Sequence, residues 1–151
     1  MSEISIRWAQ QGDAVALKSL LERSWRTHWG PHLESAAVMR YEDTRPVDGY
    51  VDAYLTRFRV AERDGALVGM YHLEDEHLHA IHVDLAAIGS GVGRVMMEAA
   101  EREGARKLEV RAFNRRAHEF YLRRGWVGTK EHDDLEMGQK VRTIVMERPQ
   151  G

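Results

Sequence analysis

The segment AIGSGVGRVMMEAAE, residues 87–101, decides how this sequence folds, because three glycines fall within five positions directly ahead of a predicted helix. Glycine loses more conformational freedom on folding than other residues do. A glycine cluster therefore indicates a backbone that adopts positive φ or that a ligand approaches closely. The first turn of a helix offers unpaired N–H groups and the positive end of the helix dipole, which together favour a bound anion. The segment predicts a phosphate-binding turn, and a plain helix start with flexible glycines is the alternative.

Three motifs that bind phosphate or present a nucleophile do not fit this segment. A P-loop requires Lys and then Ser or Thr after its last glycine, whereas Arg94 follows Gly93 here. The dinucleotide fingerprint belongs to the first strand–helix unit of a chain, and this cluster comes after several predicted strands. The nucleophile elbow G-x-S-x-G does not match the residues around Ser90.

The hydrophobic pattern on either side predicts a mixture of strands and helices. Alternating apolar residues indicate strands in ISIRWA, in HLHAIHVD, in KLEVRAF and in the closing WVGTKEH and KVRTIVMER. FRVAERDGALVGMYHLE is predicted to be a hairpin that turns at Asp64 and Gly65. A helix capped by Asp13 and an irregular helical region broken at Pro46 lie between the first strand and this hairpin. The order of elements predicts an α+β (mixed α/β) fold with helices on the faces of the sheet.

The composition is that of one soluble globular domain, which we expect to span residues 1–151. The formal net charge of −2, with no clustered basic excess, argues against a nucleic-acid partner. There is no cysteine, which excludes disulfides, thiolate metal sites and cysteine nucleophiles. No apolar run of ~18 residues and no signal peptide is visible, so we expect no membrane partner and a cytoplasmic location.

The longer segment VDLAAIGSGVGRVMMEAAE resembles the acetyl-coenzyme-A loop of the GNAT-type N-acetyltransferase superfamily, whose pattern is Gln/Arg-x-x-Gly-x-Gly/Ala. Gly91 and Gly93 occupy the two small positions, and Val83 ends the preceding strand at the family's usual distance. Ile88 stands where the family has Gln or Arg. That difference removes one side chain from the cofactor site but leaves the backbone amides.

A second segment, NRRAHEFYLRRGW at residues 114–126, resembles the superfamily's Asn-x-x-Ala-x-x-Phe-Tyr-x-x-x-Gly-Phe, with Trp126 in the last aromatic place. Together the two resemblances cover most of the chain, except a region from about residue 25 to residue 57. They imply a twisted, mostly antiparallel central sheet of about six or seven strands, flanked by about four helices. The sheet would be splayed between its fourth and fifth strands.

The resemblance implies that acetyl-CoA binds in this splay as a co-substrate, and that no metal is involved. The pantetheine arm would hydrogen-bond to strand backbone at Ile81, His82 and Val83, as an added strand does. Asn114 would face the arm from the other side, and a bulge near Ile81 would produce the splay. The pyrophosphate would lie on the turn formed by Ile88, Gly89, Ser90, Gly91, Val92, Gly93 and Arg94.

The histidines of HLEDEHLHAIHVD are the candidate proton acceptors. Histidine is suited to take a proton from an ammonium group near neutral pH. The HLH pair, His77 and His79, resembles the paired histidines of the arylalkylamine N-acetyltransferases, which implies His79 as the base and His77 as the second choice. The wider GNAT group often uses a glutamate or ordered water instead, and that alternative stays open. His82 is expected to point to the other side of the sheet and to be structural. Two alternatives are an exposed polar strand edge and a cupin-like metal site of His77, His79 and Asp84, which requires an all-β fold.

Tyr121 is the candidate general acid. In the family, the tyrosine at this place donates a proton or hydrogen bond to the departing sulfur of coenzyme A. The alternative is a core aromatic residue at helical spacing from Ala117. The resemblance also implies that a strand amide near Ile81 stabilises the oxyanion.

The acceptor is expected to bind against aromatic residues of the early helical region. Those selected are Trp25, Trp29 and Tyr54, with His28, Tyr41 and Tyr50 beside them, and an acidic turn at Glu74, Asp75 and Glu76 is placed to attract a cation. The prediction is direct transfer of an acetyl group from acetyl-CoA to a primary amine, small-molecule or peptide, in a ternary complex. A homodimer is compatible with this prediction. The alternatives are a catalytically inactive acyl-CoA-binding module of the same fold and the cupin-like metal enzyme.

Overall fold

Within residues 3–149, which the computed structural model describes, a seven-stranded mixed sheet forms the centre of the molecule. Its strands are β1 (Ser5–Trp8), β2 (Phe58–Arg63), β3 (Ala66–Glu74), β4 (His77–Val83), β5 (Lys107–Arg111), β6 (Val127–Glu136) and β7 (Gln139–Glu147). Their order across the sheet is β1-β2-β3-β4-β5-β7-β6. The β4–β5 pair is parallel and the other neighbouring pairs are antiparallel. The predicted α+β class and mostly antiparallel sheet are confirmed.

The same residues form five α-helices, one more than the number predicted. They are α1 (Ala14–His28), α2 (Ser35–Thr44), α3 (Pro46–Tyr54), α4 (Val92–Arg102) and α5 (Arg115–Arg123). The extra helix arises because Arg45 adopts a left-handed conformation, with φ 48°, and separates α2 from α3. Pro46 then begins α3. Proline is tolerated at this position because the first backbone N–H groups of a helix have no acceptor within the helix. None of the helices in this described part is long and apolar enough to cross a membrane.

Helices cover the two faces of the sheet and divide the core into two parts. On the sheet face covered by α4 and α5, the buried cluster includes Tyr71, Leu78, Met96, Met97, Leu108 and Trp126. On the face covered by α1 and α3, it includes Leu17, Leu20, Val51, Phe58, Val60 and Met70. Gly69 lets α4 lie close to β3, because a Cβ atom at this position would be 2.7 Å from the Cε atom of Met96. Burial of each large apolar side chain contributes roughly 1.5–3 kcal/mol.

The sheet is splayed between its fourth and fifth strands, as predicted. The parallel ladder pairs His77 with Lys107 and Leu78 with Leu108, and β4 and β5 then separate. The residues of β4 from 80 to 83 pair with β3 on one side, while their other edge faces the gap. This gap is the feature of the fold that positions the site.

A bulge in β4 decides which side chains face the gap. Ala80 pairs with His72 and Leu78 pairs with Leu73, so His79 is an extra residue in the β4 ladder. The bulge lies two residues before the predicted position at Ile81, and it reverses the alternation of side chains that follow it.

His82 consequently lies on the same face as His79, which corrects the prediction that it points to the other side. The His82 side chain bonds Ser24 of α1, and the His79 ring packs on the His72 ring. In a regular strand, side chains alternate between the two faces, so residues three apart such as His79 and His82 would lie on opposite faces. The extra residue in the ladder shifts this alternation by one and places both on the same face.

Candidate functional site

The glycine turn connects β4 to α4 in the conformation that its glycines predict. Gly89 and Gly91 have φ of 84° and 93°, which L-residues with a side chain rarely adopt. The first bond of α4 runs from Val95 N to Gly91 O, so the preceding helical amides lie outside the intrahelical ladder. These amides belong to Val92, Gly93 and Arg94. The turn therefore offers a row of N–H donors at the positive end of a helix dipole.

A cavity of about 350 Å³, here called the glycine cavity, opens beside this turn. Its walls contain most of the predicted cofactor residues, namely Ile81, His82, Val83, Ile88, Gly89, Gly91, Gly93, Arg94, Asn114 and Tyr121. Ser90 and Val92 do not line it: the Ser90 hydroxyl donates to Ala87 O, and Val92 is fully buried in the core. These two residues remain candidates through their backbone amides.

Arginine side chains give the glycine cavity a basic mouth. Arg94, Arg116 and Arg123 line it together with His28. Burial, and then the charge of Arg116, lowers the pKa of His28 below its ordinary value. Arg94 also pairs with Glu98 at 3.2 Å between Nη1 and Oε1. The charge distribution suits a ligand that carries phosphate groups.

A second cavity of about 370 Å³, here called the histidine cavity, lies on the α1 and α3 side of the gap. Its walls include His79, Trp25, Trp29 and Tyr50. The two cavities share the wall residues Trp29, Ile81, His82, Asn114, Ala117 and Tyr121. A ligand in one cavity would therefore lie directly beside a ligand in the other.

The two candidate bases are placed differently. The His79 side chain is exposed and lines the histidine cavity, whereas His77 lines neither cavity. His77 stacks on His79 with ring centroids 4.3 Å apart, so the pair shares a face as predicted. Burial, followed by the charge of His79, lowers the pKa of His77. Of the two, His79 has the position that a base needs.

His82 is held as a structural residue. Its Nδ1 atom lies 2.7 Å from the Ser24 hydroxyl oxygen, and its ring centroid is 5.6 Å from that of Trp29. Burial, followed by the charge of His28, lowers the pKa of His82 to about 4. The imidazole is therefore neutral at physiological pH, and its hydrogen bond with Ser24 connects β4 to α1.

Tyr121 and Asn114 stand at the junction of the two cavities. Tyr121 is 8% exposed and lines both, and burial raises the pKa of its phenol above the ordinary value. Asn114 is the N-cap of α5, and its Oδ1 atom accepts a hydrogen bond from Ala117 N at 3.5 Å. A phenol that keeps its proton at neutral pH can donate it.

The predicted acceptor residues are only partly brought together. Trp25 and Trp29 line the histidine cavity, and Trp25 stacks on Tyr41 with centroids 3.7 Å apart. Tyr54 lines neither cavity, is 40% exposed and packs on Tyr50. Its selection is corrected in favour of Tyr50, which lies one turn earlier in α3 and lines the wall.

A charged part of the histidine cavity wall was missed by the sequence analysis. Arg111 bonds the carboxylates of Asp134 and Glu136, each with an N···O distance of 3.1 Å, and Trp25 Nε1 donates to Glu136 at 3.1 Å. Glu109 also lines the cavity. The charged residues come from two strands, β5 and β6, that lie far apart in the sequence, and they form no local motif. A sequence signal for them is absent, because only the pairing of β5, β6 and β7 brings them together.

The acidic turn selected from the sequence does not border the histidine cavity. Asp75 and Glu76 form the exposed β3–β4 turn, with φ of 48° and 70°. Glu74 pairs with Arg57 and with His72. The acidic side chains that line the cavity are those from β5 and β6.

The cupin-like alternative is contradicted by the fold. Helices on both faces of an open sheet replace the all-β barrel that it requires. Asp84 pairs with Arg23, at 2.8 Å between Oδ1 and Nη2. Across residues 3–149, no group of three or more His, Cys, Asp and Glu side chains is arranged to hold a metal ion.

Comparison with known proteins agrees with the geometry of the splay and the glycine turn. Residues 34–147 match the family model of the acetyltransferase (GNAT) domain. This chain belongs to the GNAT acetyltransferase family. The superfamily resemblance seen in the sequence is thereby confirmed, while the likeness of its histidine pair to the arylalkylamine enzymes stays a prediction. No curated protein matches the sequence of this GNAT domain.

Solved structures share the fold over nearly the whole chain. Apo-form YjaB from Escherichia coli is 23% identical, with a TM-score of 0.78 over 96% of this chain and 97% of that one. PaiA N-acetyltransferase from Thermoplasma acidophilum, solved in complex with coenzyme A, is 17% identical, with a TM-score of 0.71 over 97% and 98%. YncA from Salmonella typhimurium, solved with acetyl-CoA, is 18% identical, with a TM-score of 0.65 over 95% and 91%. At these identities, the likeness concerns the GNAT fold alone.

Proposed function

We propose that this GNAT domain transfers an acetyl group from acetyl-CoA to a primary amine by direct attack in a ternary complex. One observation carries the proposal: the glycine cavity and the histidine cavity meet along a common wall that contains Ile81, Asn114 and Tyr121. Two substrates bound in these cavities have their reacting ends side by side, which makes direct transfer geometrically simple.

The glycine cavity fits acetyl-CoA in shape and charge. The amides of Val92, Gly93 and Arg94 bind the pyrophosphate, and the arginines at the mouth add positive charge. The free edge of β4 from Ile81 to Val83 binds the pantetheine arm as an additional strand would. The thioester then lies near the common wall, where the amide of Ile81 stabilises the oxyanion that develops.

His79 is proposed as the base. A primary amine is an ammonium ion near neutral pH and cannot attack until a proton leaves. His79 lines the histidine cavity and is exposed, so it can take that proton and pass it to water. His77 stacks behind it and supports its orientation.

Tyr121 is proposed as the acid. It lies at the junction of the cavities and holds its proton because burial raises the pKa of the phenol. Proton donation to the departing sulfur of coenzyme A accelerates such a step by about 10²–10⁴.

The walls of the histidine cavity favour an amine with an apolar body. Trp25, Trp29 and Tyr50 supply aromatic surface, while acidic side chains at Glu109 and Glu136 attract a cation. Both a small molecule and the end of a peptide satisfy these requirements. The acceptor class is therefore defined here by its charge and its apolar contact surface.

Titration calorimetry with acetyl-CoA, followed by a thiol-release assay over a panel of primary amines, tests the proposal. We expect one acetyl-CoA per chain and amine-dependent release of free thiol above the amine-free rate. Binding without turnover on any amine would favour the inactive acyl-CoA-binding module, which the sequence admits because Ile88 replaces Gln or Arg in the family pattern. Absence of acetyl-CoA binding would contradict both functions.

A further inference from the structure

A hydrogen-bonded chain of three side chains leads from the histidine cavity, through a buried histidine, to the surface near Arg57. The hydroxyl oxygen of Tyr50 lies 2.6 Å from His72 Nδ1, and His72 Nε2 lies 2.6 Å from Glu74 Oε2. Tyr50 lines the cavity, whereas His72 is 3% exposed. Arg57 pairs with Glu74 at the outer end of the chain. None of the functional roles assigned above involves this arrangement.

The chemistry of the outer end fixes the direction of every hydrogen bond in the chain. An ionised carboxylate paired with arginine only accepts, so the Nε2 atom of His72 must carry the proton and donate to Glu74. A neutral imidazole with its proton on Nε2 has an acceptor at Nδ1. Tyr50 must therefore donate its single hydroxyl proton to His72.

The surroundings of His72 keep its imidazole neutral. It is enclosed by Tyr50 and Tyr54 of α3 and by Phe58 of β2, and it faces His79 and His77 of β4 and the guanidinium of Arg57. Burial, followed by the charges of His79, Arg57 and His77, lowers the pKa of His72 to about 4. At physiological pH, Nδ1 stays an acceptor.

We infer that Tyr50 binds the acceptor amine through the lone pairs of its hydroxyl oxygen, and that His72 and Glu74 are positioning residues that hold this hydroxyl as an acceptor. The inference rests on the proposed amine acetylation and names a residue that selects the acceptor. Because the hydroxyl proton is committed to His72, the oxygen presents only acceptor capacity to the cavity. It therefore favours a ligand group that donates a proton, such as an ammonium nitrogen, and disfavours a group that only accepts, such as a carbonyl or carboxylate oxygen.

The first test is Tyr50→Phe, which removes the hydroxyl and keeps the ring. Loss of a hydrogen bond to a charged donor should raise the KM for the amine about tenfold or more, with KM for acetyl-CoA unchanged. Tyr71→Phe is the matched control, because Tyr71 donates its hydroxyl to Glu103 at 2.9 Å on the opposite face of the sheet. The control should leave the amine KM within about twofold.

The second test is Glu74→Gln, which keeps the size of the side chain but adds a donor. A glutamine amide can donate to Nε2, so the whole chain can reverse and turn the Tyr50 proton toward the cavity. We expect the amine KM of this variant to lie between those of wild type and Tyr50→Phe. Long-range ¹H–¹⁵N spectra should show His72 protonated at Nε2 in the wild type and partly at Nδ1 in the variant.

The outcomes separate failure of the inference from failure of the proposed function. Wild-type turnover with an unchanged amine KM in Tyr50→Phe would overturn the role of Tyr50 and leave amine acetylation standing. A proton on His72 Nδ1 in the wild-type spectrum would overturn the direction of the chain. Binding of acetyl-CoA without acetylation of any amine in the panel would overturn the proposed function and this inference with it.

Discussion

The glycine cavity and the histidine cavity are built in opposite ways. The largest share of the glycine cavity comes from one short run of chain, from Ile81 to Arg94, and the rest comes from α5 and the end of α1. The histidine cavity draws its walls from α1, α3, α5 and four strands, and a bond in it joins Trp25 to Glu136 across a separation of 111 residues. A binding site made of backbone amides can form within one short segment of sequence. A pocket lined by side chains forms only when segments that are distant in sequence pack together.

This contrast predicts that variants in the two cavities separate cofactor affinity from amine chemistry, except at their common wall. Three substitutions test that separation, and a fourth tests the burial of a histidine in the common wall.

Tyr121→Phe should have the largest effect, because Tyr121 belongs to both cavities. Loss of the acid should lower kcat by about 10² or more. The affinity for acetyl-CoA should stay within about twofold, since the ring remains in place. Steady-state kinetics with calorimetry measures both. Equal turnover in the variant and the wild type would retire the acid role.

His79→Ala should alter amine chemistry alone. Histidine accepts a proton only in its neutral form, so the pH dependence of wild-type activity should change when this base is removed. We expect kcat/KM for the amine to fall about 10- to 100-fold, with unchanged acetyl-CoA affinity. His77→Ala is the neighbouring comparison and should have a smaller effect, because His77 lines neither cavity. An unchanged pH profile in His79→Ala would reject His79 as the base.

Gly91→Ala should weaken the binding of acetyl-CoA in the glycine cavity and leave the amine chemistry unchanged. Gly91 has φ of 93°, and a left-handed conformation costs an L-residue roughly 1–2 kcal/mol. We expect the Kd for acetyl-CoA to rise about tenfold, with the pH profile of turnover unchanged. Gly12→Ala is the control, since a Cβ atom there meets nothing within 4 Å. Equal affinity in Gly91→Ala and wild type would contradict the phosphate-binding role of the turn.

His82→Asn should alter the pH dependence of stability, because the buried His82 side chain bonds Ser24 of α1. The pKa of His82 is lowered to about 4 in the folded state, from an ordinary value of 6.5, so the unfolded chain binds the proton more readily between these limits. The free energy of unfolding should therefore fall as the pH drops from about 6.5 to 4, by up to about 1.4 kcal/mol per pH unit from this residue. Urea unfolding at pH 5 and pH 7 should show a weaker pH dependence in the variant. The same dependence in both proteins would mean that His82 is not buried in its neutral form.

Much of the fold followed from local patterns. The hairpin turn at Asp64 and Gly65, the break before α3 at Pro46 and the glycine turn all lie where the sequence placed them. Each depends on the dihedral preference of one or two residues, which the chain carries regardless of its neighbours. The predicted break at Pro46 is a full separation of two helices, because a non-glycine residue, Arg45, adopts positive φ between α2 and α3.

The histidine cavity was less predictable, for reasons of register. Alternation along β4 put His79 and His82 on opposite faces, and the bulge at His79 placed them on one face. Tyr54 was selected from the same helix face as Tyr50, yet it lies beyond the cavity wall. Such shifts of one residue or one helical turn depend on how strands and helices pack. The composition and the hydrophobic periodicity of the sequence do not predict them.

The sequence by itself determined the local backbone features of the site, which are the positive-φ glycines and the start of α4. It also determined the order of elements that leaves a gap in the sheet. Tertiary structure alone decided which side chains face that gap, because Arg111, Glu136, Trp25 and the chain from Tyr50 to Glu74 meet only after strands and helices have packed. The physical reason is range. Backbone dihedrals are set by adjacent atoms, while charge pairing and hydrogen-bond direction depend on partners that the chain brings together late.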